Sequence, residues 1–533
     1  MKGAFFYAWI FMSHQIVKSA GVVAFFTMLS RFTGLARDMV TFHVFGVTAL
    51  TDAFFVAFTI PNMMRRLVAE GALTVAFIPV YTEVRKNEGV EAAKRFYAST
   101  LGLLMIFLTG LVLLGMIFAG YMVYALASGF AEHPEQMRIA TLLTQLMFPY
   151  TFLISLVALF MGVLNAEGHF AAPAASPIFL NLAMIGSTYF LKDYFSQPIL
   201  ALAFGVILGG ALQLVTQLPA LHQRGFLIRP TFEINSPPIL KLLKVMFPAL
   251  FGVAVYQLNL IVLRQLGSYL PVGQISYYYN ADRLMQLALG IFAISIATAA
   301  LPAMSEQTAV GEHKGLLKTW MFSTRLTNFI TIPAAFGLTF IGIPVVSVLY
   351  LHGRFTWYDV QMTAYTTMAF APGLISVAIS RTTVQAFYAL QDMRTPVIAG
   401  AASVVVNLIL GIWLIRYEVT GLALSLTLSS WFQTLWLMLA LRRKVGLLGG
   451  RVLAKSLLWH TGLSILMSIV AVSICTVGDW SKGPTLLNAF ILFLSIFLSI
   501  ALYGVTALFF KVEEAMPIWK VVSRRFSKVS SVV

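Results

Sequence analysis

Apolar runs too long for a soluble helix recur along the whole chain. They fall approximately at 17–46, 50–84, 97–126, 138–164, 170–191, 198–221, 240–268, 274–304, 318–350, 359–390, 395–415, 420–441, 455–477 and 485–510. A helix rises 1.5 Å per residue, so about 20 apolar residues cross the hydrocarbon layer of a bilayer. The pattern predicts an all-α polytopic membrane protein with about 14 transmembrane helices. Several runs contain proline or glycine, among them Pro61, Gly71, Pro149, Pro248, Pro302, Pro333 and Pro372. Such residues interrupt backbone hydrogen bonding, and membranes tolerate them where neighbours or cavity water satisfy the freed groups.

The runs repeat. Pro79 and Pro302, Pro149 and Pro372, and Pro173 and Pro396 are each 223 residues apart, and Glu83 and Glu306 keep the same offset. The offset equals six spans, an even number, so the two copies share one orientation and form a parallel repeat. In transporters built this way the substrate site lies at the repeat interface. The expected organisation is an N-terminal cytoplasmic segment (1–16), a six-span N-lobe (17–222), a cytoplasmic linker (223–239), a six-span C-lobe (240–445), two extra spans walling a lipid-tail groove (446–511), and a basic cytoplasmic tail (512–533). Residues 1–11 read equally as an extra amphipathic turn or as sequence upstream of a start at Met12.

Composition agrees with a membrane class, with 59% hydrophobic and only 11% charged residues. The net charge of +16 is explained by topology and not by nucleic acid. Only Arg138, Lys192, Arg354, Arg416 and Lys482 fall on one side of the spans. The other side carries Arg85, Lys86, Lys94 and Arg95, the Arg442–Lys455 cluster, and the basic tail. Positive charge marks the cytoplasmic side, so both termini are expected there. The single Cys475 excludes an intramolecular disulfide and a multi-thiolate metal site. His14, His43, His169 and His352 fall in or near loops and do not read as metal ligands.

Arginines inside the spans are the features to explain. Arg31 and Arg37 lie in the first, Arg65 and Arg66 in the second, and Arg283 in the eighth. A guanidinium at bilayer depth costs roughly 2.5–3.5 kcal/mol on insertion scales, so it faces a wet cavity or a partner. Their fork-shaped donors match phosphate oxygens two at a time and stay charged at any cellular pH. Arg31, Arg37, Arg65 and Arg283 are therefore candidate contacts for an anionic headgroup. Asp38, Asp52, Arg66 and Glu70 are candidate gate or arginine-orienting residues; Arg66 and Glu70 are spaced i,i+4 and can pair. The blander readings are snorkelling for Arg65 or Arg66 and a structural pair for Arg31 and Asp38. Arg264, Arg325 and Arg381 read as structural, and Asp392 as a loop or cap residue.

The stretches Leu29-Ser-Arg-Phe-Thr-Gly-Leu-Ala-Arg-Asp38, Thr51-Asp-Ala-Phe54, Pro61-Asn-Met-Met-Arg-Arg-Leu-Val-Ala-Glu-Gly-Ala72 and Asn280-Ala-Asp-Arg-Leu284 together resemble the MurJ (MviN) family of lipid II flippases. The resemblance covers nearly the whole chain and is strongest in spans 1, 2 and 8. It implies the fourteen-span fold of the multidrug/oligosaccharidyl-lipid/polysaccharide exporter superfamily. It also implies a multi-pass protein of the bacterial inner membrane that moves the undecaprenyl-diphosphate-linked peptidoglycan precursor, lipid II, to the outer leaflet. Arg31, Arg37, Asp52 and Arg283 fall at positions important in that family. Many relatives carry a basic residue where this chain has Thr59, and some an acidic one where it has Gln286.

The implied mechanism is alternating access by a monomer. No enzyme chemistry, cofactor or nucleotide is expected, and no GxxxxGK[ST] motif is present. Membrane potential, with a monovalent ion as a further option, is the expected energy source. A flippase for another polyprenyl-linked glycan, of O-antigen type, shares the physics; only the motif set stands against it. A cation or drug antiporter of the same superfamily would want an acidic cavity. A membrane-embedded enzyme acting on polyprenyl phosphates would want clustered aspartates for Mg²⁺.

Overall fold

The structure, a computed structural model, describes residues 2–67 and 73–516. Glu70, Gly71 and the basic residues beyond 516 therefore lie outside the described residues. All regular structure among the described residues is helical, and it divides into two compact units that meet in sequence at Gly273 and Gln274.

The first unit contains α1 (Lys2–Phe45), α2 (Ala49–Met64), α3 (Thr74–Glu88), α4 (Val90–Ile117), α5 (Ala119–Leu126), α6 (Pro134–Met147), α7 (Tyr150–Ala166), α8 (Ala171–Leu191), α9 (Leu200–Val215), α10 (Leu218–Gln223) and α11 (Pro237–Gly267). The second contains α12 (Gln274–Ala309), α13 (His313–Phe340), α14 (Gly342–Tyr350), α15 (Trp357–Ala389), α16 (Arg394–Leu414), α17 (Glu418–Val445), α18 (Gly450–Cys475) and α19 (Leu486–Phe509). Every predicted apolar run falls on one of these helices or on two that are consecutive in the chain. By length and composition, eight described stretches qualify as membrane-crossing, or nine if the bent pair α13–α14 is one span. This helix α11 packs on α3, α4 and α5, inside the first unit.

The 223-residue repeat is visible in the helix boundaries. Helices α4 and α13 have 28 residues each, α8 and α16 have 21 each, and both members of each pair start and stop at the same offset. A short 3₁₀ turn follows each of the latter, at Lys192–Tyr194 and Ile415–Tyr417. The copies differ at their second shared proline. Pro149 stands at the break between α6 and α7, whereas α15 runs unbroken through Pro372.

Helix interfaces use small and polar residues, because lipid offers no hydrophobic drive for helices to associate. A Cβ on Gly205 would lie 2.8 Å from Met184 Cα, and one on Gly209 2.8 Å from Leu180 Cα. This glycine pair, four residues apart, lets α9 approach α8 at backbone distance. Between α15 and α17, Thr427 donates to Ala369 O and Thr434 to Ser376 O, both at 2.8 Å. The core of the first unit is instead aromatic, with Phe77 stacked on both Tyr81 and Phe96.

Helices α13 and α14 meet at 75° across Ile341, beyond Pro333, which α13 carries without a break. Helix α2 does contain Pro61 and gives way to a π-type turn at residues 65–67.

Candidate functional site

Arg31 and Arg37 project from α1, which packs along α8. Arg37 is buried, at 8% exposure, and Asp38 more so, at 2%. Arg37 Nε and Nη2 both donate to Asp38 Oδ1, at 3.0 and 2.5 Å. Neighbouring helical positions point about 100° apart, but the arginine stem is long enough to fold back. Asn181 of α8 completes the arrangement. Its Oδ1 accepts from Arg37 Nη1 at 3.2 Å, while its Nδ2 donates to Ser30 O at 3.2 Å and Thr33 Oγ1 at 3.1 Å. Arg31 is half-buried on the same helix. Asp38 thus accepts from two of the three nitrogens of Arg37. Asn181 was missed in the sequence, where a lone asparagine in an apolar run was the available signal.

Asp52 stands in the first turn of α2, behind a reciprocal cap between Thr48 and Thr51. Its Oδ2 accepts from the Gly273 backbone N–H at 2.6 Å, which pins the end of the first unit to α2. Arg65 and Arg66 are half-buried just past α2, and Arg65 Nε donates to Asn62 Oδ1 at 3.1 Å. The expected Arg66–Glu70 pair lies outside the described residues. Thr59, where relatives of the resembling family often carry a basic residue, has a guanidinium brought to it. Arg264 Nε of α11 donates to Thr59 Oγ1 at 3.2 Å, and Thr59 passes its own proton to Phe55 O at 2.7 Å. Positive charge is present there after all, delivered from another helix.

In the second unit Arg283 is half-buried on α12, next to Asp282, which accepts from Gln286 Nε2 at 2.5 Å. Arg325 has the structural pairing expected of it, to Glu513 at 2.9 Å and Glu514 at 2.5 Å. Arg381 does not. Its Nε is buried with no hydrogen-bond partner, as is Oε1 of Gln385 one turn on. Asp392 acts as a cap, accepting from the Arg394 and Thr395 N–H groups at 3.0 Å and from Lys444 Nζ at 2.7 Å. Burial alone would raise its carboxyl, but Lys444 and Thr395 hold it well below the usual carboxylate range. No group of three His, Cys, Asp or Glu among the described residues could hold a metal ion.

Helices long and apolar enough to cross a membrane in both units, with a buried guanidinium on α1, define a multi-pass membrane protein of the transporter class. The fold agrees. A multidrug resistance MATE family transporter of the MOP superfamily, in its inward-facing conformation, matches with a TM-score of 0.67 at 14% identity, covering 80% of this chain and 98% of that one. A structure of a lipid II flippase MurJ in an inward closed conformation matches with a TM-score of 0.77 at 25% identity, covering 92% of this chain and 98% of that one. The family model described as "Lipid II flippase MurJ" matches residues 42–512. The probable lipid II flippase MurJ of Vibrio cholerae is 35% identical, covering 84% of this chain and 86% of the relative. The lipid II flippase MurJ of Burkholderia cenocepacia is 34% identical, covering 79% and 83%. This chain belongs to the MurJ lipid II flippase family.

Proposed function

We propose that this protein is a lipid II flippase of the bacterial cytoplasmic membrane, with both termini in the cytoplasm, working as a monomer by alternating access. The match of the family model over residues 42–512 carries this reading. Arg31, Arg37, Arg65 and Arg283 are its diphosphate contacts. Asp38, Asp52, Arg66 and Glu70 orient those arginines or hold gates shut. Membrane potential is its energy source: a headgroup of about two negative charges leaving a negative cytoplasm gains roughly 4–5 kcal/mol per 100 mV, from about 2.3 per charge. The test is transport by the purified protein in vesicles. Lipid II should cross, while a polyprenyl-diphosphate glycan of O-antigen type should cross at least tenfold more slowly; equal rates would reject lipid II selectivity.

A further inference from the structure

We infer that Arg381 and Gln385 of α15 form an anion station in the second unit, which takes up the diphosphate of the substrate ahead of Arg283. The inference rests on the flippase reading and deepens it. It adds a contact to that binding path, on the side proposed to be cytoplasmic.

Three sides of α15 are identified by what they touch. Thr382 and Thr383 turn to α13, where Thr382 Oγ1 meets Thr324 Oγ1 at 2.9 Å and Thr383 Oγ1 accepts from Trp320 Nε1 at 3.2 Å. Ala369 O and Ser376 O turn to α17, accepting from Thr427 and Thr434. Asp359 and Phe370 face α12: Tyr277 donates to Asp359 Oδ1 at 2.6 Å, and the rings of Tyr278 and Phe370 lie 5.0 Å apart. At 3.6 residues per turn, Val377, Arg381 and Tyr388 fall on this last side, with Val384 and Gln385 flanking it. The side is closed in the first half of the helix, where Asp359, Thr363 and Phe370 are 6%, 0% and 1% exposed. From Val377 onward it is half-open, and Tyr388 is exposed.

An open helix side could face lipid, and the side chains decide against that. The large apolar residues exposed on α15 are Tyr358, Tyr365 and Tyr388, each ending in a hydroxyl, whereas α19 exposes Phe490, Phe493 and Phe497. Arg37, Arg65 and Arg325 each donate to a side-chain oxygen. Arg381 Nε is buried with no acceptor among the described residues, and Oε1 of Gln385, one turn on, has no donor. A guanidinium at bilayer depth that packing does not satisfy marks a substrate path. Its planar donors match phosphate oxygens, and the amide oxygen beside it matches a hydroxyl or N–H of the attached headgroup. Arg381 lies eight residues from the Ala389 end of α15, about 12 Å, and Arg283 nine residues from the Gln274 end of α12, about 14 Å. As the first half of each helix meets the first half of the other, the two arginines occupy opposite halves of the unit. In the proposed topology the Ala389 end faces the cytoplasm, so a headgroup entering from there meets Arg381 first.

The experiment is equilibrium binding of lipid II to the purified full chain in nanodiscs of phosphatidylcholine. Arg381→Ala should weaken binding about tenfold, the worth of one charge-assisted hydrogen bond. Arg381→Lys should recover only part of the loss, and Gln385→Ala should weaken binding about threefold. Because Arg381 Nε gives up no partner, Arg381→Ala should leave the unfolding midpoint of the lipid II-free protein unchanged or raised. A fall of several degrees would make Arg381 structural and overturn the proposal. Inorganic pyrophosphate and phosphatidylglycerol separate the sources of phosphate. Pyrophosphate should compete with lipid II, and should do so about tenfold less well in Arg381→Ala. Phosphatidylglycerol should not compete; competition as strong as that of lipid II itself would assign the station to bulk phospholipid and overturn it. Undiminished binding by Arg381→Ala, beside normal binding by the wild type, overturns the station and leaves the flippase reading standing. A wild type that binds no lipid II removes the flippase reading and the station with it.

Discussion

Arg37, proposed above as a diphosphate contact, is also a structural tie. Two of its nitrogens hold Asp38 and a third reaches Asn181, an arrangement that a point-charge ammonium cannot copy. Arg37→Lys should therefore keep the charge and still slow lipid II flipping in vesicles about tenfold, equivalent to one charge-assisted hydrogen bond of about 1.5 kcal/mol. Wild-type flipping would argue against a fork-shaped contact. Arg37→Ala should cost about 3–5 kcal/mol of stability by removing the charge partner of a buried carboxylate, with Arg37→Ala/Asp38→Ala recovering much of it in thermal unfolding. Asp392 gives a pH-dependent case. Its folded value lies below its unfolded one, so its contribution is complete above about pH 4 and is lost as pH falls towards the lower value. Asp392→Asn should lower stability by about 1–2 kcal/mol at neutral pH, from the cap and the Lys444 pair. The gap between variant and wild type should shrink below about pH 4, as read from unfolding midpoints. The arginines were legible because charge in an apolar run is conspicuous. Asn181 reaching Arg37 and Arg264 reaching Thr59 were not, since these partners are 144 and 205 residues apart.

Helices were legible to the extent that they are apolar, and their interruptions only in part. The bend after α13 falls not at Pro333, which the helix absorbs, but at Ile341–Gly342 just before Pro344, which has no N–H to donate to Phe340 O. The predicted linker at 223–239 is not a loose tether. Its Thr231 N–H donates to Ala98 O at 3.0 Å, and its hydroxyl meets Ser99 Oγ at 3.1 Å. This seat exists because Gly102 of α4 lacks a side chain: a Cβ there would stand 2.0 Å from Thr231 O. Gly102→Val should lift the linker from α4. Chymotrypsin cutting after the neighbouring Phe232, which is exposed, should rise at least fivefold, while the unfolding midpoint changes by only a few degrees. Unchanged cleavage would mean that the linker is held elsewhere.

At the scale of the whole molecule, the duplicated helix boundaries fix the architecture, but the residues with chemistry do not follow the repeat. Arg31 and Arg37 have Ala254 and Leu260 at the 223-residue offset, whereas Arg283 has Ile60 in the earlier copy. The repeat therefore extends to the helix frame and to Glu83 and Glu306, but not to the candidate arginines. Those charges bear on how voltage can drive transport. If the arginines stay still while the headgroup crosses, about two negative charges move outward, and an inside-negative potential should favour export by roughly 4–5 kcal/mol per 100 mV. If the arginines travel with the diphosphate they neutralise it, and the voltage dependence disappears. Imposing a potassium diffusion potential on vesicles that contain the purified protein and lipid II separates the two cases. We expect outward flipping to increase with inside-negative potential, with a slope near two charges. Arg283→Ala should abolish this flipping, and with it the rescue of cells depleted of their own flippase, while membrane insertion stays intact. A voltage-independent rate would exclude the potential as the energy source, and normal rescue by Arg283→Ala would remove that arginine from the diphosphate contacts.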